Sequence, residues 1–389
     1  MNNLIKTDVC IIGAGPSGSA TSIMLSKEKI HHYIIDKAVF PRDKTCGDGL
    51  ILYAYKSLKI FGDNIFNSFL NHPKILHSKI VRLHINNELV INFKESKDRD
   101  MLISYVKRID FDNFLVEQIS NDFAFKEFGN GVKSLEKTEK GILVKLKDNK
   151  QILAKIIVGA DGVNSLVSRK LTKQKPDTKY KSTFISAYFK NVEHLPKDNE
   201  AEIRIVYKKT PLFFYIFPLS DGTVNVSLGA RTDKLNKYNI NLLEEVDHIL
   251  NSHEKVKHKF KKATITSKWR GWVIPFHFGK QQVFGDNFLL VGDAAGLANA
   301  FYKEGVGTGM MSGILAVKTI KEAIRINDFS SKTLNKHQKN LKSEFSKLLK
   351  FSYFTLRLMR FKQIFYTLVS LFKNKVEKKF KKMIIKRSY

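Results

Sequence analysis

Residues Asp8-Val9-Cys10-Ile11-Ile12-Gly13-Ala14-Gly15-Pro16-Ser17-Gly18 read as a short apolar strand that runs straight into a glycine turn spaced as Gly13, Gly15 and Gly18. A helical apolar pattern follows through Ala20, Ile23 and Met24, and a second apolar run, Tyr33-Ile34-Ile35, ends on Asp36. Strand, turn, helix, strand and acid in this order make a complete β-α-β dinucleotide fingerprint. Gly13 permits the tight turn, Gly15 lets the backbone approach a pyrophosphate, and Gly18 lets helix and strand pack closely. The helix that starts at Pro16 presents free N–H groups to the phosphates. Asp36 is placed to accept the ribose hydroxyls. A carboxylate here with no arginine directly after it favours an adenosine lacking a 2′-phosphate, which FAD and NAD both satisfy.

The segment from Asp36 to Leu50 has neither helical nor strand periodicity. Pro41, Gly47 and Gly49 mark a loop whose backbone can lie against a flat ring system. Cys46 within it is either a small loop residue or a thiol that orients substrate or donates a proton beside a redox ring. Two later stretches narrow the cofactor. Ile156-Ile157-Val158-Gly159-Ala160-Asp161-Gly162 is an apolar strand ending in an acid, and Asp161 either contacts the cofactor or caps the next helix. Phe288-Leu289-Leu290-Val291-Gly292-Asp293-Ala294-Ala295-Gly296 repeats that logic, and Glu304-Gly305-Val306-Gly307 follows. Asp293 suits a ribityl chain. The glycine-flanked helix start at Gly305 and Val306 suits the edge of an isoalloxazine, where helix N–H groups stabilise the charge of a reduced flavin.

In this order the three motifs resemble FAD-dependent oxidoreductases with the p-hydroxybenzoate hydroxylase fold. Within that class, Pro41-Arg42-Asp43-Lys44-Thr45-Cys46-Gly47-Asp48-Gly49-Leu50 is similar to a loop of the geranylgeranyl reductase family. Leu212 to Pro218 resembles that family's substrate strand, and Gly292 to Leu297 with Glu304-Gly305-Val306 resembles its flavin signature. The resemblance spans residues 1 to about 320. It implies FAD contacts at Pro16, Asp36, Cys46, Gly47, Gly49, Asp293, Gly305 and Val306. It also implies an arginine near the ribityl–phosphate region at Arg108, in the segment Lys107 to Leu115, and backbone pairing with adenine at Val132. The catalytic candidates are Cys46, Gly47 and Tyr215. Two departures stand out: Asn299-Ala300-Phe301-Tyr302-Lys303-Glu304-Gly305 lacks the family's proline and gains Lys303, and the expected tryptophan of the substrate strand is Tyr215 or Phe214, depending on register.

The implied fold class is α/β: a Rossmann-like FAD-binding domain with an inserted antiparallel substrate sheet and C-terminal helices. The expected boundaries are residues 1–175 plus 270–330 for the FAD-binding domain, with strands near 75–105 joining the substrate side, residues 176–269 for the substrate domain, and 331–389 for a basic tail. Alternation such as Lys79 to Ile85 and Glu202 to Tyr207 supports half-buried strands. The 389 residues are 43% hydrophobic and 27% charged, which excludes bulk disorder. The two cysteines, Cys10 and Cys46, exclude a disulfide framework or a cysteine-rich metal site, and no metal ligands are expected. That usage fits the cytoplasm.

The net charge is +30. Half of it lies in residues 331–389, where 17 Lys/Arg face two acids, Glu344 and Glu377. Phe354, Leu358, Phe361, Phe365, Leu368 and Phe372 recur there at helical spacing, which predicts a basic amphipathic helix. It reads either as an anchor on an anionic membrane, at the inner face of the cytoplasmic membrane, or as a helix packed on the FAD-binding domain. Nucleic acid is not an expected partner, since no known nucleic-acid motif is present. The function implied is saturation of carbon–carbon double bonds in a hydrophobic isoprenoid lipid or quinone chain; a flavin monooxygenase acting on an aromatic or polyene is the alternative. A second Gly-x-Gly-x-x-Gly turn is absent, so the reductant (NADPH, NADH or ferredoxin, the last an electron-donor protein) stays open.

Overall fold

The computed structural model describes residues 4–85, 89–94, 103–172, 174, 177–277, 279, 281–375 and 377–378. Its first eight-stranded sheet is built on the fingerprint. Ile5–Ile12 lies at the centre, parallel to His32–Asp36 on one side and to Gln151–Gly159 on the other. Phe288–Leu290 continues the parallel order beyond Gln151–Gly159, and Ala124–Phe128 does so beyond His32–Asp36. Val9, Cys10, Ile11, Ile156, Ile157 and Val158 are all fully buried. Strands covered on both faces read as continuous apolar runs, which is why these two segments were legible.

The helix Pro16–Lys27 packs on this sheet and is crossed by the long helix Val306–Ile326. A Cβ at Gly313 would stand 2.5 Å from the carbonyl oxygen of Ser17, so the crossing depends on the missing side chain. The contact brings the start of the second helix beside the glycine turn, although some 290 residues separate them in sequence.

The second eight-stranded sheet runs Thr264–Ile265, Lys181–Lys190, Val224–Arg231, Pro211–Pro218, Ala201–Tyr207, Ile80–Ile85, Leu89–Lys94. Its long hairpins are antiparallel, as expected. One pairing is not: Ala201–Tyr207 runs parallel to Ile80–Ile85. These strands come from separate excursions of the chain, so no tight turn dictates their direction. Arg270–Pro275 lies beyond the expected substrate boundary, yet it pairs with Lys181–Lys190 in this sheet. A small third sheet joins Gly49–Leu50, Ile103–Tyr105 and Leu76–Ser78, tying the cofactor loop to the substrate side.

The tail differs from the single amphipathic helix expected of it. A helix over Ser331–Leu358 breaks at Met359–Phe361, and a second runs over Lys362–Leu371. The break rotates the stripe. Leu356, Met359, Phe365 and Val369 turn inward onto the second sheet's core, while Phe354, Phe361, Ile364, Leu371 and Phe372 stay exposed. The described part of the tail therefore both packs and presents an apolar face; residues 379–389 lie outside the described residues. Among the described residues no helix is long and apolar enough to cross a membrane.

Candidate functional site

The glycine turn is built as its spacing requires. Gly13 has φ +102°, and a Cβ on Gly18 would fall 1.8 Å from the oxygen of Gly13. Gly15 is the N-cap of the first helix with Pro16 at its first position, and no side chain caps its N–H groups. Asp36 accepts from Ala14 N at 2.7 Å and from Ala38 N at 2.9 Å, so its carboxylate shapes the turn that would hold a ribose. Val132 begins the strand Val132–Thr138. The preceding turn leans on the Asp36 loop, where Asn130 N donates to Asp36 O at 3.2 Å and Gly129 N to Ala38 O at 3.1 Å.

Asp161 serves a different purpose. Its carboxylate accepts from Ser165 Oγ at 2.5 Å, Leu166 N at 2.6 Å and Val167 N at 3.2 Å, and so caps the short helix Leu166–Leu171. Oδ1 accepts from the Ser165 hydroxyl and Oδ2 from two backbone N–H groups, which is the geometry of the capping alternative. The backbone just before it still counts, since a Cβ on Gly13 would meet Ala160 O at 2.4 Å.

Arg108 is buried, with Nε and Nη2 donating to Asp112 at 2.6 and 2.7 Å. Arg42 Nη1 reaches the same carboxylate at 2.8 Å, and its Nη2 would lie 3.4 Å from a Cβ on Gly15. Two guanidinium groups thus share one fully buried aspartate beside the phosphate turn. Arg108 also donates to Cys46; burial works against its charge, but Asp112 more than restores it and leaves the guanidinium more firmly protonated than usual. Sequence reading found Arg108 but not Arg42 or Asp112; Asp112, four residues after Arg108, lies on the same helical face and was the available clue.

One apolar cavity lies between the loop Cys46–Gly49 and the second sheet. Phe213, Tyr215, Phe217, Trp272 and Ile274 form its wall, and Lys303 to Val306 close its other side. Register is settled here: Tyr215 faces the cavity and stacks on Phe217 at 5.4 Å, while Phe214 turns into the core on the reverse face. Gly305 caps the helix that begins at Val306, and a Cβ on Gly305 would lie 3.2 Å from Asp293 Oδ1. Cys46, Gly47, Gly49, Tyr215, Gly305 and Val306 are thereby brought together. Burial pushes the Cys46 thiol up, so it stays protonated.

Three charged residues line this apolar wall: Lys303, already noted as a departure in the sequence, its neighbour Glu304, and Asp48, which was not singled out. Asp48 is 1% exposed. Its Oδ2 accepts from Tyr188 OH at 2.8 Å and Asn225 Nδ2 at 2.7 Å. Burial pushes its pKa from 3.8 to about 7, against the opposing pull of those two donors and of Arg108, while Asp43 adds to the rise. Glu304 is likewise buried and raised from 4.5 to about 7, chiefly by burial. Lys303 has φ +60°; its Nζ donates to Ser182 Oγ at 3.0 Å and to Ala300 O, between the rings of Phe213 and Phe276. Burial holds its pKa well below the usual lysine value.

A stability experiment follows from Asp48. Its folded pKa exceeds the unfolded one, so its contribution is complete below about pH 4 and is lost as pH rises through about 7. Asp48→Asn should therefore gain stability relative to the parent protein between those limits, by up to a few kcal/mol. Urea midpoints measured at several pH values would show it; parallel curves would mean that Asp48 titrates normally.

Against known proteins, the FAD binding domain model matches residues 6–328. Menaquinone reductase of Mycolicibacterium smegmatis is 26% identical over 337 residues, covering 84% of this chain and 79% of that one. Digeranylgeranylglycerophospholipid reductase 3 of Methanosphaera stadtmanae is 26% identical over 364 residues, covering 90% and 85%. A 1H-pyrrole-2-carbonyl-[peptidyl-carrier protein] chlorinase of Pseudomonas fluorescens is 25% identical over 373 residues, covering 85% and 79%. The solved structure of a geranylgeranyl bacteriochlorophyll reductase-like protein from Thermoplasma acidophilum superimposes with TM-score 0.82 at 20% identity, covering 94% and 91%. The geometry fits FAD: an uncapped helix start faces the Gly15 turn, two arginines flank it, and a second helix start at Gly305 adjoins the cavity. The chain belongs to the FAD-binding-domain family and is an FAD-dependent oxidoreductase.

Proposed function

We propose that this protein saturates carbon–carbon double bonds of an isoprenoid chain carried on a lipid or quinone. Bound FAD, once reduced, supplies the hydride. The observation that carries the reading is the cavity: an aromatic and aliphatic wall meets the helix start at Gly305 and Val306 with few polar groups between. An apolar chain fits such a wall, and the sites' few fixed polar groups orient it. Similarity to a menaquinone reductase and a digeranylgeranylglycerophospholipid reductase supports the same substrate class.

The test is anaerobic incubation of the reduced holoprotein with geranylgeranyl phospholipids and menaquinones, followed by mass spectrometry. A gain of two hydrogens per double bond is expected. A product that appears only with O2 and carries added oxygen, or added halogen when halide is present, would instead place the protein with the monooxygenases or the halogenases.

The tail supports delivery from a bilayer. Phe354 is 62% exposed and Leu371 72%, and Arg357, Arg360, Lys362, Lys373 and Lys375 surround this face. The occupant proposed is an anionic lipid surface, to which each nearby basic residue adds about 1 kcal/mol. Phe354→Ser/Leu371→Ser should cut sedimentation with phosphatidylserine vesicles at least tenfold, with FAD content unchanged. Equal sedimentation of parent and variant would remove the membrane from this account.

A further inference from the structure

We propose that Asp48 is the general acid of this site, giving its carboxyl proton to the alkene carbon that does not receive the hydride. The inference rests on the reductase reading above and assigns the proton that reading leaves open. Three geometric facts carry it. Asp48 lines the cavity directly between Gly47 and Gly49. It is held in the left-handed region at φ +61°, a conformation that a non-glycine side chain adopts at a cost and that recurs at functional sites. Its Oδ1 is buried and accepts no hydrogen bond from the described residues, although Oδ2 accepts two.

The surrounding network has one consistent assignment. Asn225 Oδ1 accepts from Ser186 Oγ at 3.0 Å and Ser227 Oγ at 2.7 Å, so its Nδ2 must point the other way. That nitrogen donates to Asp48 Oδ2 and, at 2.9 Å, to Cys46 O. Tyr188 OH donates to the same Oδ2. Every neighbour is thus a donor to Oδ2, and the acidic proton belongs on Oδ1. Tyr188 is half-buried, with the Lys107 ammonium 4.8 Å from its ring. The charged and titratable groups facing Asp48 are Arg108 and Asp43, with Tyr188 and the Cys46 thiol.

The step balances. The π bond breaks and two C–H bonds form, one from the hydride of the reduced flavin and one from the Asp48 proton; the flavin is oxidised and the alkene reduced. The carboxylate left behind recovers its proton from water, and the external reductant restores the flavin.

Two variants of the full-length holoprotein test this, Asp48→Asn and Tyr188→Phe, each first checked for FAD content and melting temperature. Asp48→Asn should lower the anaerobic saturation rate at least 100-fold, within the range that general acids contribute. Independently of turnover, the infrared difference between parent and Asp48→Asn should contain a protonated-carboxyl carbonyl band that titrates near neutral pH, the Glu304 band common to both proteins cancelling. Tyr188→Phe removes a donor to the carboxylate, so it should move both that titration and the alkaline fall in rate to higher pH. A rate for Asp48→Asn within threefold of the parent, or a parent-minus-variant infrared difference with no carboxyl band, overturns the proposal and leaves the reductase reading intact. A parent protein that saturates no isoprenoid overturns the reading and the acid step together.

Discussion

Gly18→Ala should produce a protein that has lost both its FAD and much of its thermal stability, whereas Gly15→Ala should stay folded and lose only FAD. The two glycines look alike in the motif but differ in what surrounds them. A Cβ on Gly18 would sit 1.8 Å from Gly13 O, 2.9 Å from Gly13 C and 3.2 Å from Ala160 Cβ. The two nearest atoms are backbone of the turn that leaves the central strand Ile5–Ile12, and relief requires moving the helix Pro16–Lys27 off the sheet. Overpacking of this kind costs about 1–3 kcal/mol, and more where backbone must move. At Gly15 the nearest atom is Arg42 Nη2 at 3.4 Å, the end of a flexible side chain. The added methyl therefore meets little protein, but it occupies the approach of a pyrophosphate. Flavin absorbance per protein and thermal melts separate the outcomes. A loss of affinity beyond tenfold for Gly15→Ala corresponds to about 1.4 kcal/mol. Full flavin content in that variant would show that the phosphates bind elsewhere.

The contrast also shows what a sequence can disclose. The turn at Gly13 to Gly18, the acid at Asp36 and the strand Gln151–Gly159 were legible because their constraints are local: a backbone angle, a helix start and an apolar run between two covered faces. The crossing of Val306–Ile326 over the first helix was less so, since Gly313 reads as an ordinary helix glycine until Ser17 is placed against it. Asp161 was ambiguous in sequence between a cofactor contact and a helix cap, and the three donors that bind its carboxylate all lie within the next six residues.

Asp48 was hidden for a further reason. An aspartate between two glycines looks like a solvated turn residue. Only the strands Lys181–Lys190 and Val224–Arg231, more than 130 residues away, bury it and supply Tyr188 and Asn225. The break at Met359–Phe361 was similarly obscure. The spacing of Phe354 to Phe372 follows a continuous helix, but packing of Met359 and Phe365 on the second sheet decides which residues turn inward. Periodicity identifies an apolar stripe without identifying its partner.

Asp112→Asn should destabilise the protein by about 3–5 kcal/mol, the usual result of removing one member of a buried ion pair. Asp112 is fully buried and holds both Arg108, also buried, and Arg42. Without its charge, two guanidinium groups face each other across a neutral amide. Arg42, 17% exposed at its side chain, can turn toward water; Arg108, 5% exposed, cannot. Most of the loss is therefore the desolvation of one stranded arginine. Removing that arginine as well should recover stability: Arg108→Gln/Asp112→Asn is expected to be more stable than Asp112→Asn alone, giving a coupling of at least 1 kcal/mol, since residues in contact are not additive. Flavin retention should not recover with it. The double variant lacks the arginine that adjoins Cys46 and the carboxylate that positions Arg42 over Gly15. Denaturation curves and flavin content of the parent, Asp112→Asn, Arg108→Gln and the double variant would decide it. Additive losses would show Arg108 and Asp112 to be independent, and a double variant with full flavin would show that the cluster serves the fold alone.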